Sequence, residues 1–110
     1  MEAFEIDTLE AERAKLGKLY LEFLRVPALS VGLYVIEAGG TDPQQPHTED
    51  EVYYVESGAA TVTVVGEERA VSAGSIVYVA ANVEHRFHSI TEELRLLVFF
   101  APAEYTNKPG

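Results

Sequence analysis

From Lys18 to Ala101 the chain is a succession of short runs rich in β-branched and aromatic residues, each closed by glycine, proline or a polar pair. Runs of this kind suit pleated, half-buried strands, and the punctuation between them suits tight turns. Residues 19–25 form the first, interrupted by Val26-Pro27-Ala28, and residues 31–38 the second, ending at Gly39-Gly40. A polar loop over residues 41–46 leads to a strand at 51–56, a Ser57-Gly58 turn and a strand at 60–65. Gly66-Glu67 then reads as a hairpin turn into 68–71, and Ala73-Gly74 as a turn into 76–79. A loop over 80–83 precedes the last two runs, 85–90 and 94–101. Roughly eight short strands joined in this way fold as an all-β sandwich or barrel.

The exception is the N-terminus. Asp7-Thr8-Leu9-Glu10 predicts a helix start with Asp7 as cap and Glu10 in capping-box position. Leu9, Ala11, Glu12 and Lys15 favour a short helix, which Gly17 ends. A helix this short is unstable alone and is expected to pack against the strands.

A length of 110 residues suits one domain with a core of its own. Eighteen acidic against eight basic residues give a net charge of −10, which repels a phosphate backbone, so nucleic acid is not an expected partner. The longest apolar stretch, residues 96–101, is far short of the ~20 residues a membrane helix needs, and the first residues lack a secretory pattern. There is no cysteine, so any metal must be held by nitrogen and oxygen, and a cytoplasmic location fits.

The chemistry concentrates at Gln45, His47 and Glu51. Their odd spacing puts them on one face of an extended segment, and a second histidine, His85, lies far downstream. An imidazole, a carboxylate and an amide oxygen meeting another imidazole would form a small divalent-metal site inside a barrel.

These residues sit in two patterns. Gly39-(five)-Gln45-Pro46-His47-(three)-Glu51-(six)-Gly58 resembles the first motif of the cupin superfamily, G-x5-H-x-H-x3-E-x6-G. Gly74-(five)-Ala80-Ala81-Asn82-Val83-Glu84-His85 is similar to the second, G-x5-P-x-G-x2-H-x3-N, and the fifteen residues 59–73 between them match a compact member. Gln45 replaces the first histidine, Ala80 the proline, Asn82 the glycine and Ser89 the final asparagine. Asparagine tolerates the left-handed backbone that glycine would use.

The resemblance implies one cupin domain over residues 1–110, with motifs at about 39–58 and 74–89, folded as a double-stranded β-helix (jelly-roll) barrel with a short N-terminal helix. It implies His47, Glu51 and His85 as ligands of one divalent transition metal (Fe, Mn, Zn, Ni or Co), with Gln45 either a weaker ligand or a hydrogen-bonding neighbour. Strand parity sends Phe87 inward with His85, and Tyr53 and Val55 inward with Glu51, whereas His88 faces the other way. Tyr34 and Phe99 are candidates for the pocket wall. Arg86 and Arg95, the cations near the second motif, read as solvated or as partners for an anionic ligand.

The expected function is metal-dependent chemistry on a small organic substrate, of dioxygenase, isomerase or lyase type. A non-catalytic binding or sensing module is the alternative, and a purely structural scaffold the third. A homodimer is expected because the first strand offers an uncovered edge. Imidazoles bind metal only when neutral, so affinity should fall near or below pH 6.5. The tail carrying Tyr105 either lies across the barrel or a neighbouring subunit, or frays.

Overall fold

The computed structural model describes residues 1–43 and 46–108. One helix, α1 (Ile6–Leu16), precedes six strands: β1 (Tyr20–Val26), β2 (Leu29–Ile36), β3 (Asp50–Val64), β4 (Glu67–Ser72), β5 (Ile76–Val79) and β6 (His85–Ala101). All pairings are antiparallel, in the order β1-β2-β6-β3-β4, with β5 on β3. The fold is a jelly-roll barrel, as expected, but with fewer and longer strands.

The reason is at Gly58. The Ser57-Gly58 pair is not a turn: β3 runs through it, paired with β6 from Asp50↔Ala101 to Val64↔His85. Register shifts between Val55 and Thr61 bend both strands there. Gly58 has φ of 98°, and a Cβ would lie 2.1 Å from the Glu93 carbonyl oxygen, so only glycine fits the bend. The first half of β3 pairs with β5 and the end of β6, while the second half pairs with β4 and the start of β6.

The bend also inverts which residues face inward. Glu51, Tyr53 and Val55 are buried before it, Ala60 and Val62 after it. On β6, His85 and Phe87 are buried, then Ile90, Leu94, Leu96, Val98 and Phe100, with Ser89 left-handed (φ 51°) at the switch. The β3–β4 turn, Val65-Gly66, has φ of 47° and 80°, the signature of a two-residue hairpin of mirror-image type.

Two apolar clusters hold the molecule together. The larger fills the barrel, with Tyr53, Phe87, Leu94 and Leu96 fully enclosed. The smaller joins Leu9 of α1 to Leu21, Leu33 and Val35 on the outer face of β1 and β2. Strand β2, between β1 and β6, is therefore buried on both faces, which accounts for its unbroken apolar run. The helix starts earlier than expected: Glu5 is the N-cap, without a side-chain cap bond, and Asp7 lies in the first turn, where a negative charge suits the helix dipole. Its end is as expected. Gly17 is left-handed, and the Gly17 and Lys18 N–H groups return to Ala14 and Arg13, closing a Schellman motif.

Candidate metal and ligand site

His85 opens β6 and is held from behind. Its Nδ1 lies 2.9 Å from the Val83 carbonyl oxygen, which can only accept, so Nδ1 carries a hydrogen. Nε2 then faces the barrel interior, 2.8 Å from Glu51 Oε1 and 2.9 Å from the Tyr53 hydroxyl. Tyr53 and Phe87 are fully buried beside it, ring edge against ring face.

His47 stands on the loop before β3. The loop is anchored through Asp42, a buried carboxylate that accepts from the Tyr34 hydroxyl (2.5 Å) and the Phe87 N–H (3.0 Å). The Asn82 N–H donates to the His47 carbonyl at 2.6 Å, tying the second motif's loop to the first. Asn82 has φ of 63°, the left-handed conformation expected of it. The His47 ring packs 4.7 Å from Phe100, with Nδ1 3.5 Å from Glu51 Oε1 and Nε2 3.0 Å from Glu104 Oε2.

The acidic triplet before and within β3 divides three ways. Glu49 is buried and accepts the backbone N–H groups of Tyr105 and Asn107, both at 2.8 Å, as well as the Thr48 hydroxyl. Asp50 is exposed and accepts the Ala81 N–H at 2.8 Å. Glu51 is buried between the two histidines.

The charges follow from these contacts. Burial pulls the His47 imidazolium down, but the neighbouring Glu104 and Glu51 carboxylates outweigh it and raise its pKa to about 9. For His85 burial again opposes charge, and the Glu51 contact raises it above its ordinary value. Glu51 is held below the usual carboxylate range because the two histidines outweigh its burial. Glu49 is also lowered: the Thr48 hydroxyl and the tail N–H groups overcome desolvation.

His47, Glu51 and His85 each present a ligand atom within 4.8 Å of the others. Two further observations fit a cation there. Glu51 Oε2 and His47 Nδ1 are buried and find no hydrogen-bond partner among the described residues. Two imidazoles and a carboxylate also form a donor set suited to Fe(II), and to Mn, Zn, Ni or Co. Gln45, the other expected donor, lies outside the described residues.

Beside the trio lies a cavity of about 410 Å³. Tyr20, Tyr34, Tyr53, Phe100 and Tyr105 supply its aromatic wall, and His47 and Glu104 its polar corner. Tyr34 and Tyr53 line this cavity, and Phe87 is buried against Tyr53. Phe99 does not line the cavity; Val98 and Phe100 on either side of it do, because the switch at Ser89 turns the even positions inward. His88 stands outside the trio, 2.7 Å from the Thr63 hydroxyl. Arg95 faces Asp7 and Glu56, each at 3.7 Å, and neither it nor the exposed Arg86 lines this cavity.

Sequence reasoning missed Glu104, Asp42, Glu49 and Tyr20. A lone acid in a proline-containing tail carries no local signal of its role. Asp42 and Glu49, within a loop and an acidic run, look like ordinary solvated residues.

Barrel and trio together define a small jelly-roll protein with a candidate mononuclear metal site. The cupin domain family model matches residues 32–100, and the chain belongs to the cupin family. It is 56% identical over 104 residues to an uncharacterized protein of Streptomyces coelicolor, covering 94% of this chain and 99% of that one. Among solved structures, TT1209 of Thermus thermophilus superposes with a TM-score of 0.76 at 22% identity, covering 94% and 99% of the two chains. An RmlC-like cupin of Methanocaldococcus jannaschii with a double-stranded β-helix fold gives 0.69 at 22% identity, covering 76% and 78%. These last two likenesses concern the fold alone.

Proposed function

We propose that the protein is a mononuclear metal-binding cupin whose aromatic cavity takes an uncharged small organic molecule and transforms it beside the ion, by dioxygenase, isomerase or lyase chemistry. The observation that carries this is the convergence of His47, Glu51 and His85, from a loop and two strands, at one point beside a cavity that His47 lines. A divalent ion held there supplies Lewis acidity, or a place where substrate and dioxygen meet. The chain's own residues do the rest. Tyr34, Phe100 and Tyr105 offer ring faces, and the buried Tyr20 hydroxyl, with no partner among the described residues, offers a hydrogen bond to a ligand oxygen. Glu51 and Glu104 together balance a divalent charge, and no Lys or Arg lines the cavity among the described residues, so an uncharged ligand suits it better than an anion.

Elemental analysis of purified protein, followed by turnover assays of the metal-loaded protein on phenolic, thiol and diketone substrates, tests this. Stoichiometric metal that disappears in the His85→Ala variant is expected. A protein that takes up no iron, nickel, manganese, cobalt or zinc ends the proposal.

One observation favours a second reading, binding without turnover. Most polar groups facing the cavity are already engaged: Glu104 with His47, Tyr34 with Asp42, Tyr53 with His85. A ligand recovered unchanged after long incubation with the metal-loaded protein would support it.

The proposal includes a homodimer formed through the β1 edge, which pairs only with β2 among the described residues. Sedimentation returning a 12.1 kDa species would overturn that. It also includes a cytoplasmic location and no nucleic-acid partner, the latter on the charge of −10. No helix among the described residues is long and apolar enough to cross a membrane.

A further inference from the structure

We infer that Glu104, carried on the segment after β6, is a positioning residue that turns His47 so that its Nδ1, rather than its Nε2, coordinates the ion. This rests on the metal-binding proposal above and specifies how one ligand is set.

The placement of Glu104 is built, not incidental. Its N–H donates to the Ser30 hydroxyl at 2.9 Å, and its carbonyl accepts from Arg25 at 2.7 Å. On one side, Ala103 is buried and its N–H reaches the Pro27 carbonyl at 3.3 Å. On the other, the Tyr105 and Asn107 N–H groups close on the buried Glu49 carboxylate. β1, β2, the turn between them and the residue before β3 thus hold the segment that carries Glu104. Glu104 is 7% exposed, and its Oε2 lies 3.0 Å from His47 Nε2.

A carboxylate accepts, so Nε2 is the nitrogen that keeps a hydrogen in this pair. The lone pair for a metal then belongs to Nδ1, on the side of Glu51, whose Oε1 also meets His85 Nε2 at 2.8 Å. That same Nδ1 is buried without a hydrogen-bond partner among the described residues. A carboxylate behind a ligating imidazole fixes its tautomer and strengthens it as a donor. His85 is held by the opposite nitrogen: Val83 takes its Nδ1–H and leaves Nε2 to the site. The ion would therefore meet one histidine through each kind of ring nitrogen.

The test uses the full chain and the metals alone. Zinc affinity is measured by competition with a chromophoric chelator for the wild type, Glu104→Gln, Glu104→Asp and His47→Ala. In parallel, wild-type protein with ¹⁵N-labelled histidine is loaded with ¹¹³Cd and the scalar couplings are assigned. Coupling to His47 Nδ1 and His85 Nε2 is expected, with affinity about 10- to 100-fold weaker in Glu104→Gln and partly recovered in Glu104→Asp. Coupling to His47 Nε2 overturns the inference, as does a Glu104→Gln protein that binds zinc within twofold of wild type while His47→Ala loses it. A wild type that binds neither metal overturns this inference and the proposed function together. If Glu104→Gln does not fold, the wild-type couplings still decide.

Discussion

The two histidines sit at opposite ends of one design choice. His85 belongs to a strand: its neighbours Tyr53 and Phe87 are enclosed, its rear nitrogen is fixed by a backbone carbonyl two residues away, and its side chain is fully covered. His47 belongs to a loop, with a side chain 14% exposed and held by carboxylates, one of them from the far end of the chain. The first is set by sheet geometry and changes only if the barrel changes. The second is set by contacts between three segments, so it is the adjustable half of the site. Rigid donors on one side and a tunable donor on the other would let metal affinity be altered without disturbing the core.

The hardest way to break this contrast is to delete a donor. An outer partner of a ligand is worth ~10–100-fold in affinity, so His85→Ala or Glu51→Ala should cost more than ~100-fold in chelator competition. His47→Ala should fall short of His85→Ala if the loop side is the looser half. Glu49→Ala comes next. It leaves the N–H groups of Tyr105 and Asn107 without their charged acceptor, at a cost of about 3 kcal/mol. Limited proteolysis should then cut the segment after β6 before the barrel unfolds, with His85 unaffected.

Acidity separates the halves more gently. A metal bound as proposed would have to displace a proton from His47, whose pKa is raised to about 9, which would put the affinity window above the pH 6.5 expected from an ordinary imidazole. Binding should tighten about tenfold per pH unit up to that value and then level off, as read by zinc competition from pH 6 to 10. Metal-free stability runs the other way. The raised His47 pKa contributes stability fully present below 6.5 and lost as pH rises through about 9. The lowered Glu51 pKa contributes stability present above 4.5 and lost as pH falls through its folded value. Thermal melts of the metal-free protein should thus be highest between those limits. The smallest effect belongs to His88→Ala, outside the trio: a loss of about 1 kcal/mol with the Thr63 bond, and metal affinity unchanged.

How much of this is legible in the sequence follows from the bend. Period-two spacing places Glu51 with Tyr53 and His85 with Phe87, because each pair lies on a stretch of strand unbroken by a register shift, whereas His47 joins them from the loop before β3. Continued past Ser89, the parity of His85 and Phe87 points Phe99 inward, whereas Val98 and Phe100 line the cavity. A left-handed serine leaves little trace in a sequence, and neither does a glycine that bends a strand instead of ending it. Gly58 therefore reads as a turn, and two long strands read as four. Glu104 is illegible for another reason: its partner is 57 positions away, and nothing in its neighbours marks the contact.

One consequence lies in β2. Because α1 covers its outer face and the barrel covers its inner one, Leu33 and Val35 have no side on which a polar group would reach water. Stripping away the helix would convert that cover into an open greasy panel, the kind of surface by which folded chains stick to one another. The eleven residues of α1 thus keep that face from water. Substitutions at Leu9 should accordingly reveal themselves in turbid solutions well before they disturb the pocket on the other side of the sheet.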